Sequence, residues 1–340
     1  MLTHVGDAPR ASVVVLGAGG FLGTAVVAAA VEAGLMPIGV VRNTSAAQSV
    51  EKRGGIAVVG DAANPESWIS AAANAVAVID VVQPRIPRRL GNKHLEQIAA
   101  ERAVTTRAAV GALKSLPAER RPLYASVSGV AELVKDARGV ISHASTLTSR
   151  PVGFAKIGLA ARAAVRDSGI DAAFVHLGTI YGPGKSFTER VLPALERGRY
   201  PIFGRGENRN ALVHVDDAAR ALVHIATMSR SEARRGSWIV VDQSELTLGA
   251  FLTETAAALG GPRPRHMPRW LGRAILGSGL IPELLKDVPS DSSRLTSSGF
   301  VFRFPRLREG LAATLASLGH ASQSTVQHSA SRALGAGACA

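Results

Sequence analysis

Ser12-Val-Val-Val-Leu16, followed at once by Gly17-Ala-Gly-Gly20-Phe-Leu-Gly23, is the stretch that decides the fold. Three valines and a leucine in a row read as a short strand buried on both faces. The glycines occupy the turn out of that strand, an alanine-rich helical run (21–33) follows, and a second strand (37–41) comes next. In a strand–loop–helix unit Gly17 permits the tight turn, Gly20 lets a pyrophosphate approach backbone amides, and Gly23 lets helix pack on strand. The helix N-terminus adds the positive end of its dipole. Phe21 and Leu22, which open the helix, are counted with the glycines as cofactor-binding residues.

Working outward, apolar runs at 56–59, 76–82, 123–127 and 172–177 read as further strands, and 92–114 and 152–167 as helices. Strands that are apolar throughout, alternating with helices, predict a doubly wound α/β domain with a parallel Rossmann sheet. After Tyr181 this alternation weakens and Gly, Pro and Arg accumulate. The expected division is a dinucleotide-binding domain over 10–180 and an interleaved substrate lobe over 181–318. That lobe includes helices at 216–228 and 248–259 and partly returns to the first sheet. A Ser-, Ala- and Gly-rich stretch at 319–340 is expected to be a mobile tail.

Composition excludes several classes. Of 340 residues, 46% are hydrophobic, enough to bury a core and too many for a disordered chain. The single cysteine, Cys339, excludes a disulfide framework or thiolate metal cluster and fits a reducing cytoplasm. The most apolar stretch (25–41) is broken by Glu32, Gly34 and Pro37, so no membrane span is expected. The opening residues lack the order of a secretory signal, which also points to the cytoplasm. Lys+Arg 39 against Asp+Glu 26 leaves +13. Its tightest clusters, at Arg85, Arg88 and Arg89, at Arg120 and Arg121, and over 263–273, are interleaved with prolines rather than stacking aromatics. A nucleic-acid partner is therefore not expected; a solvated, arginine-rich surface is the plain explanation of the charge, and an anionic small ligand the sharper one.

The second strand ends Val41-Arg42-Asn43, where an NAD site places an acidic residue on the ribose 2′-hydroxyl. The guanidinium of Arg42 offers a fork to a 2′-phosphate instead, so NADP(H) is the expected cofactor and Arg42 and Asn43 part of its site. At the end of the third strand Asp61, followed by Ala62, either accepts from an adenine amino group or caps the helix after Pro65.

Taken together, these residues resemble the extended short-chain dehydrogenase/reductases, the NAD-dependent epimerase/dehydratase family. The resemblance rests on Gly17-x-x-Gly20-x-x-Gly23, Gly60-Asp61, Leu123-Tyr-Ala-Ser126-Val-Ser128, Lys156, Tyr181-Gly182-Pro183-Gly184 and Leu212-Val-His214-Val-Asp216-Asp217. It implies a Ser or Thr, a Tyr and a Lys as the catalytic set, with Tyr and Lys four residues apart on one helical face. The tyrosine exchanges a proton while hydride moves between the nicotinamide and a carbonyl, and the lysine lowers the phenol's pKa. Lys156 is present, but Val152 stands four residues earlier, and Tyr124, Tyr181 and Tyr200 do not restore the spacing. The serine's place falls on Val127, between Ser126 and Ser128.

Ser126, Ser128 and Lys156 are accordingly the candidate catalytic residues, with Lys156 also holding the nicotinamide ribose. His176 lies at an expected site wall, with the satisfied core histidine the commoner role for such a residue. His214 and Asp216 read as caps, and 129–150 as a substrate loop. The expected activity is NADPH-dependent reduction of a ketone on a bulky polycyclic compound, similar to the ketoreductases of aromatic-polyketide antibiotic pathways. The proton is expected from a phenol of the substrate or from water. The competing readings are a sugar-nucleotide epimerase or dehydratase, with Arg209 at a diphosphate-binding position, and a non-catalytic NADP(H)-binding regulator.

Overall fold

The computed structural model describes residues 10–319 except 88, 185, 186 and 235. The elements of the first half are β1 (Ser12–Leu16), α1 (Phe21–Glu32), β2 (Met36–Val41), α2 (Thr44–Glu51), β3 (Ile56–Val59), α3 (Ile69–Ala72), β4 (Ala75–Asp80), α4 (Asn92–Ser115), β5 (Leu123–Gly129), α5 (Ala155–Ser168) and β6 (Ala172–Leu177). The second half adds β7 (Thr179–Tyr181), α6 (Leu192–Glu196), β8 (Ile202–Phe203), β9 (Leu212–His214), α7 (Val215–Thr227), α8 (Arg230–Ala233), β10 (Ser237–Val240), α9 (Leu248–Ala258), β11 (His266–Met267), α10 (Arg269–Leu276), α11 (Leu280–Leu284), α12 (Ser293–Ser297) and α13 (Leu307–Ser317).

Seven strands form one parallel sheet in the order β10-β6-β5-β4-β1-β2-β3. The chain order reverses between β1 and β4, which opens a crevice beyond their carboxyl ends, where doubly wound sheets bind ligands. Alternation explains why β1 is apolar throughout. Val13 and Val15 pack into the layer holding α1, α2 and α7, while Val14 and Leu16 pack into the layer with α3, α4 and α5. Each such side chain contributes roughly 1.5–3 kcal/mol by leaving water.

After Tyr181 the chain serves two places. β10 pairs with β6 at the sheet edge and α7 packs on α1, while Tyr181, Phe187, Leu195, Phe251 and Leu311 form a separate apolar cluster. Among the described residues no helix is long and apolar enough to cross a membrane. The stretch read as a tail lies, but for Gly319, outside the described residues.

The structure departs from the sequence reading in several places. The fifth helix starts at Ala155 rather than 152, because Gly153 adopts φ +54° in a turn after Pro151. The fourth strand ends at Asp80 rather than 82, where the Asp80 carboxylate accepts from the Val82 amide at 3.1 Å and turns the chain. The segment 129–150 is no open loop throughout. Leu133 bridges Leu147, and Val130, Leu133 and Ile141 are buried against Ile239, Val241 and Val288.

Candidate functional site

The glycine loop has the geometry a dinucleotide needs. Gly17 has φ +83°, and a β-carbon there would lie 3.1 Å from the Val82 backbone. A β-carbon on Gly23 would lie 2.1 Å from the Gly17 carbonyl oxygen, so only glycine lets α1 start this close to the loop. The Gly20 amide closes the turn on the Gly17 carbonyl at 3.0 Å. α1 has neither a side-chain cap nor an acidic residue in its first turn, which leaves its leading amides to an external anion. Leu22 packs against the core, so the backbone amide is what it can offer. Phe21 lies against Gly184 of the Tyr181-Gly-Pro-Gly turn, which brings that turn over the loop.

At the end of β2 the Arg42 side chain is exposed, and no hydrogen bond or ion pair engages it among the described residues. The neighbouring Asn43 is occupied: its side chain caps α2 by accepting from the Ala46 amide at 2.9 Å. Asp61 accepts from the Ala63 amide at 2.8 Å, a local turn rather than a cap on the helical turn Pro65–Ser67. Ala62 is buried in the layer with Trp68. Of these residues, Arg42 has the side chain best placed to meet a phosphate.

The carboxyl end of β5 carries the second half of the site. Ser126 is buried within the strand, and Ser128, half-buried, is its penultimate residue, near the carboxyl end. Ser128 Oγ is hydrogen-bonded to Glu132 Oε2 at 3.0 Å and to His176 Nδ1 at 3.1 Å. His176, fully buried on β6, is bonded through Nε2 to Arg162 at 3.2 Å. Burial, helped by the Arg162 charge, pushes the imidazole down to about 3, so His176 is neutral at ordinary pH. Burial likewise pushes the Glu132 carboxyl up to about 8. Arg162 lies over the Phe174 ring at 3.8 Å, which holds its charge beside the pair without a direct bond to Glu132.

Lys156 is not part of that cluster. Its Nζ lies 3.4 Å from Glu96 Oε1 on α4, and no hydrogen bond links it to Ser126 or Ser128 among the described residues. The tyrosine-to-lysine spacing has lost its helical basis as well, since 152–154 precede α5. Against this turn lies Glu283 from α11: a β-carbon on Gly153 would sit 2.5 Å from its Oε2. That oxygen is buried with no hydrogen-bond partner among the described residues, and burial raises the carboxyl to about 7. The Lys286 ammonium, bonded to the Ala131 carbonyl, is within electrostatic reach of both Glu283 and Glu132.

Two acids at this edge, Glu132 and Glu283, were not read from the sequence. Glu132 carried a signal, a carboxylate in an otherwise apolar run next to the strand end, whereas nothing local marks Glu283. His214 caps α7 by accepting from the Asp216 amide at 3.2 Å, as its reading as a cap requires. Arg209 is held by Asp287 through Nη2 at 2.9 Å, so its guanidinium already has a carboxylate partner.

The sequence profile of the NAD dependent epimerase/dehydratase family matches residues 13–240. No curated protein sequence matches the chain. Among solved structures the chain is similar to the human epimerase family protein SDR39U1, isoform 2, with NADPH: TM-score 0.72 and 22% identity over 89% of this chain and 98% of that one. It is also similar to PA4631, a nucleoside-diphosphate-sugar epimerase from Pseudomonas aeruginosa: TM-score 0.70 and 20% identity over 91% and 99%. A third is UDP-glucuronic acid 4-epimerase from Bacillus cereus with UDP-glucuronic acid and NAD: TM-score 0.68 and 16% identity over 89% and 97%. At these identities the likeness is one of fold.

Proposed function

The chain belongs to the NAD dependent epimerase/dehydratase family, and from that premise we propose that it is a cytoplasmic NADPH-dependent ketoreductase. Its substrate in this reading is a carbonyl of a bulky polycyclic compound, of the kind met in aromatic-polyketide antibiotic biosynthesis. The fold binds a nicotinamide dinucleotide, and two of the structures it resembles hold NADPH and NAD respectively. The observation that carries the preference for NADPH is Arg42, an exposed guanidinium at the end of β2 with no partner among the described residues, where an acid would repel a 2′-phosphate.

Reduction rather than epimerisation is favoured by Val152. An epimerase must start by removing a proton from a sugar hydroxyl, which calls for a phenolate where this chain has an isopropyl group. Reduction asks for hydride on a carbonyl carbon and a weak acid for the oxygen, and positioning supplies much of the rate. Arg209, the residue suited to a sugar-nucleotide diphosphate, is engaged by Asp287.

Fluorescence titration of NADPH and NADH, followed by absorbance of the reduced cofactor with 1-tetralone and 8-hydroxy-1-tetralone, tests the proposal. Saturable binding that favours NADPH, with consumption on adding ketone, is expected. NAD retained through purification together with interconversion of UDP-sugars would replace it with the epimerase reading. Tight NADPH binding with no consumption would favour a regulator.

A further inference from the structure

The ketoreductase reading leaves open which group protonates the nascent alkoxide. The sequence offered a substrate phenol or water; the structure offers a built acid. Glu132 is 1% exposed and reaches the half-buried edge of β5 through one side chain, Ser128. Space for it exists because position 158 on α5 is glycine: a β-carbon there would stand 1.5 Å from Glu132 Oε1 and 3.1 Å from the Ser128 β-carbon. A fold that excavates a helix to seat a carboxyl in a nearly dry pocket incurs a desolvation cost that an apolar side chain would not.

We propose that Ser128 and Glu132 form a proton relay that does the work of the missing tyrosine. The carbonyl carbon accepts hydride from reduced nicotinamide, which is thereby oxidised, and the carbon–oxygen π pair moves onto oxygen. That oxygen takes the hydroxyl proton of Ser128 as Ser128 Oγ takes the carboxylic proton of Glu132. The product is an alcohol, the serine is restored, and Glu132 remains as a carboxylate until solvent reprotonates it after product leaves. Ser128 is the group that touches substrate, and Glu132 is a relay residue behind it.

The surroundings suit both protonation states. Neutral His176 from β6 lies 3.7 Å from Glu132 Oε2 and adds no charge. Arg162 from α5 and Lys286 beyond α11 favour the carboxylate, while burial and Glu283 of α11 favour the acid. The balance leaves Glu132 protonated near neutral pH yet able to part with its proton.

This inference rests on the ketoreductase reading, and the test separates the two. Infrared difference spectra of the full chain at pH 7, wild type against Glu132→Gln, should show one protonated carboxyl absorption lost in the variant. Ser128→Ala should shift that band. In turnover of 1-tetralone, which has no phenol, Glu132→Gln should lower kcat by roughly 10²–10⁴-fold with KM and the Kd for NADPH within twofold. Wild-type kcat should fall as pH rises through about 8, and that descent should vanish in the variant. With 8-hydroxy-1-tetralone the loss should be smaller, since the phenol can stand in. Absence of the band, or a variant within twofold of wild-type kcat on 1-tetralone, overturns the relay alone. A wild type that consumes NADPH with neither ketone overturns the ketoreductase reading and the relay with it.

Discussion

Two buried polar clusters flank β5, and they are built on opposite logic. Between β4, α4 and β5, Arg102 donates to Asp80 Oδ2 at 2.8 Å and to Thr106 at 3.0 Å, and the Tyr124 hydroxyl donates to the same carboxylate. The other Asp80 oxygen holds the Val82 amide. Burial and the Asp80 charge together keep the Tyr124 phenol well above its usual range, so it is a neutral donor. On the other side, at the edge facing β6 and α5, Glu132 has a serine hydroxyl but no cation in contact, and Glu283 has an unpartnered oxygen. The first cluster satisfies its charges and locks the turn beside Gly17. The second leaves acids neutral and unspent, which is costly for stability and useful for chemistry.

The contrast can be broken most sharply at Arg102. Arg102→Met leaves Asp80 buried without its cation, and urea unfolding should show a loss of about 3–5 kcal/mol. A loss under about 1 kcal/mol would mean the cluster is not a structural lock.

Second in size is a pH effect confined to the other cluster. Glu132 keeps its proton in the fold up to about pH 8, whereas in the unfolded chain it loses it near 4.5. Between those values the folded state holds the extra proton on Glu132, so the contribution of this group to stability falls as pH rises, by up to a few kcal/mol in total. In urea midpoints measured from pH 5 to 8, the stability of wild type relative to Glu132→Gln should therefore fall as pH rises. An unchanged difference across that range would contradict the neutral-acid assignment. His176 works on the acid side: its folded pKa is lowered, so its contribution is present above about 6.5 and lost as pH falls toward 3.

Tyr124→Phe should cost about 1–2 kcal/mol, because Asp80 keeps Arg102 but loses one donor. Smallest on stability is Arg42→Ala, an exposed change expected to stay within about 0.5 kcal/mol. The same variant should weaken NADPH about tenfold by titration and leave NADH unchanged, and equal effects on both cofactors would remove the argument for a 2′-phosphate contact.

The sheet was legible because its strands are continuous apolar runs set off by glycine, and Gly17, Gly20 and Gly23 carry their geometric reasons in their spacing. Val152 was legible too, as an absence. Glu132 and Glu283 were not, since a carboxylate in a sequence does not reveal that Gly158 or Gly153 will make room for it from another element. Nor could the Lys156 partner be read, because Glu96 lies on a different helix and α5 begins three residues later than its apolar pattern starts.

Deuterium followed from NADPH labelled at the transferred position of its nicotinamide into 1-tetralone tests the Glu132 relay most directly. If a reductase works here through Glu132, wild type places the label on the carbinol carbon of 1-tetralol although the ketone brings no proton donor. Saturable NADPH binding with no label in 1-tetralol, while 8-hydroxy-1-tetralone is reduced, would contradict it and return the proton to the substrate.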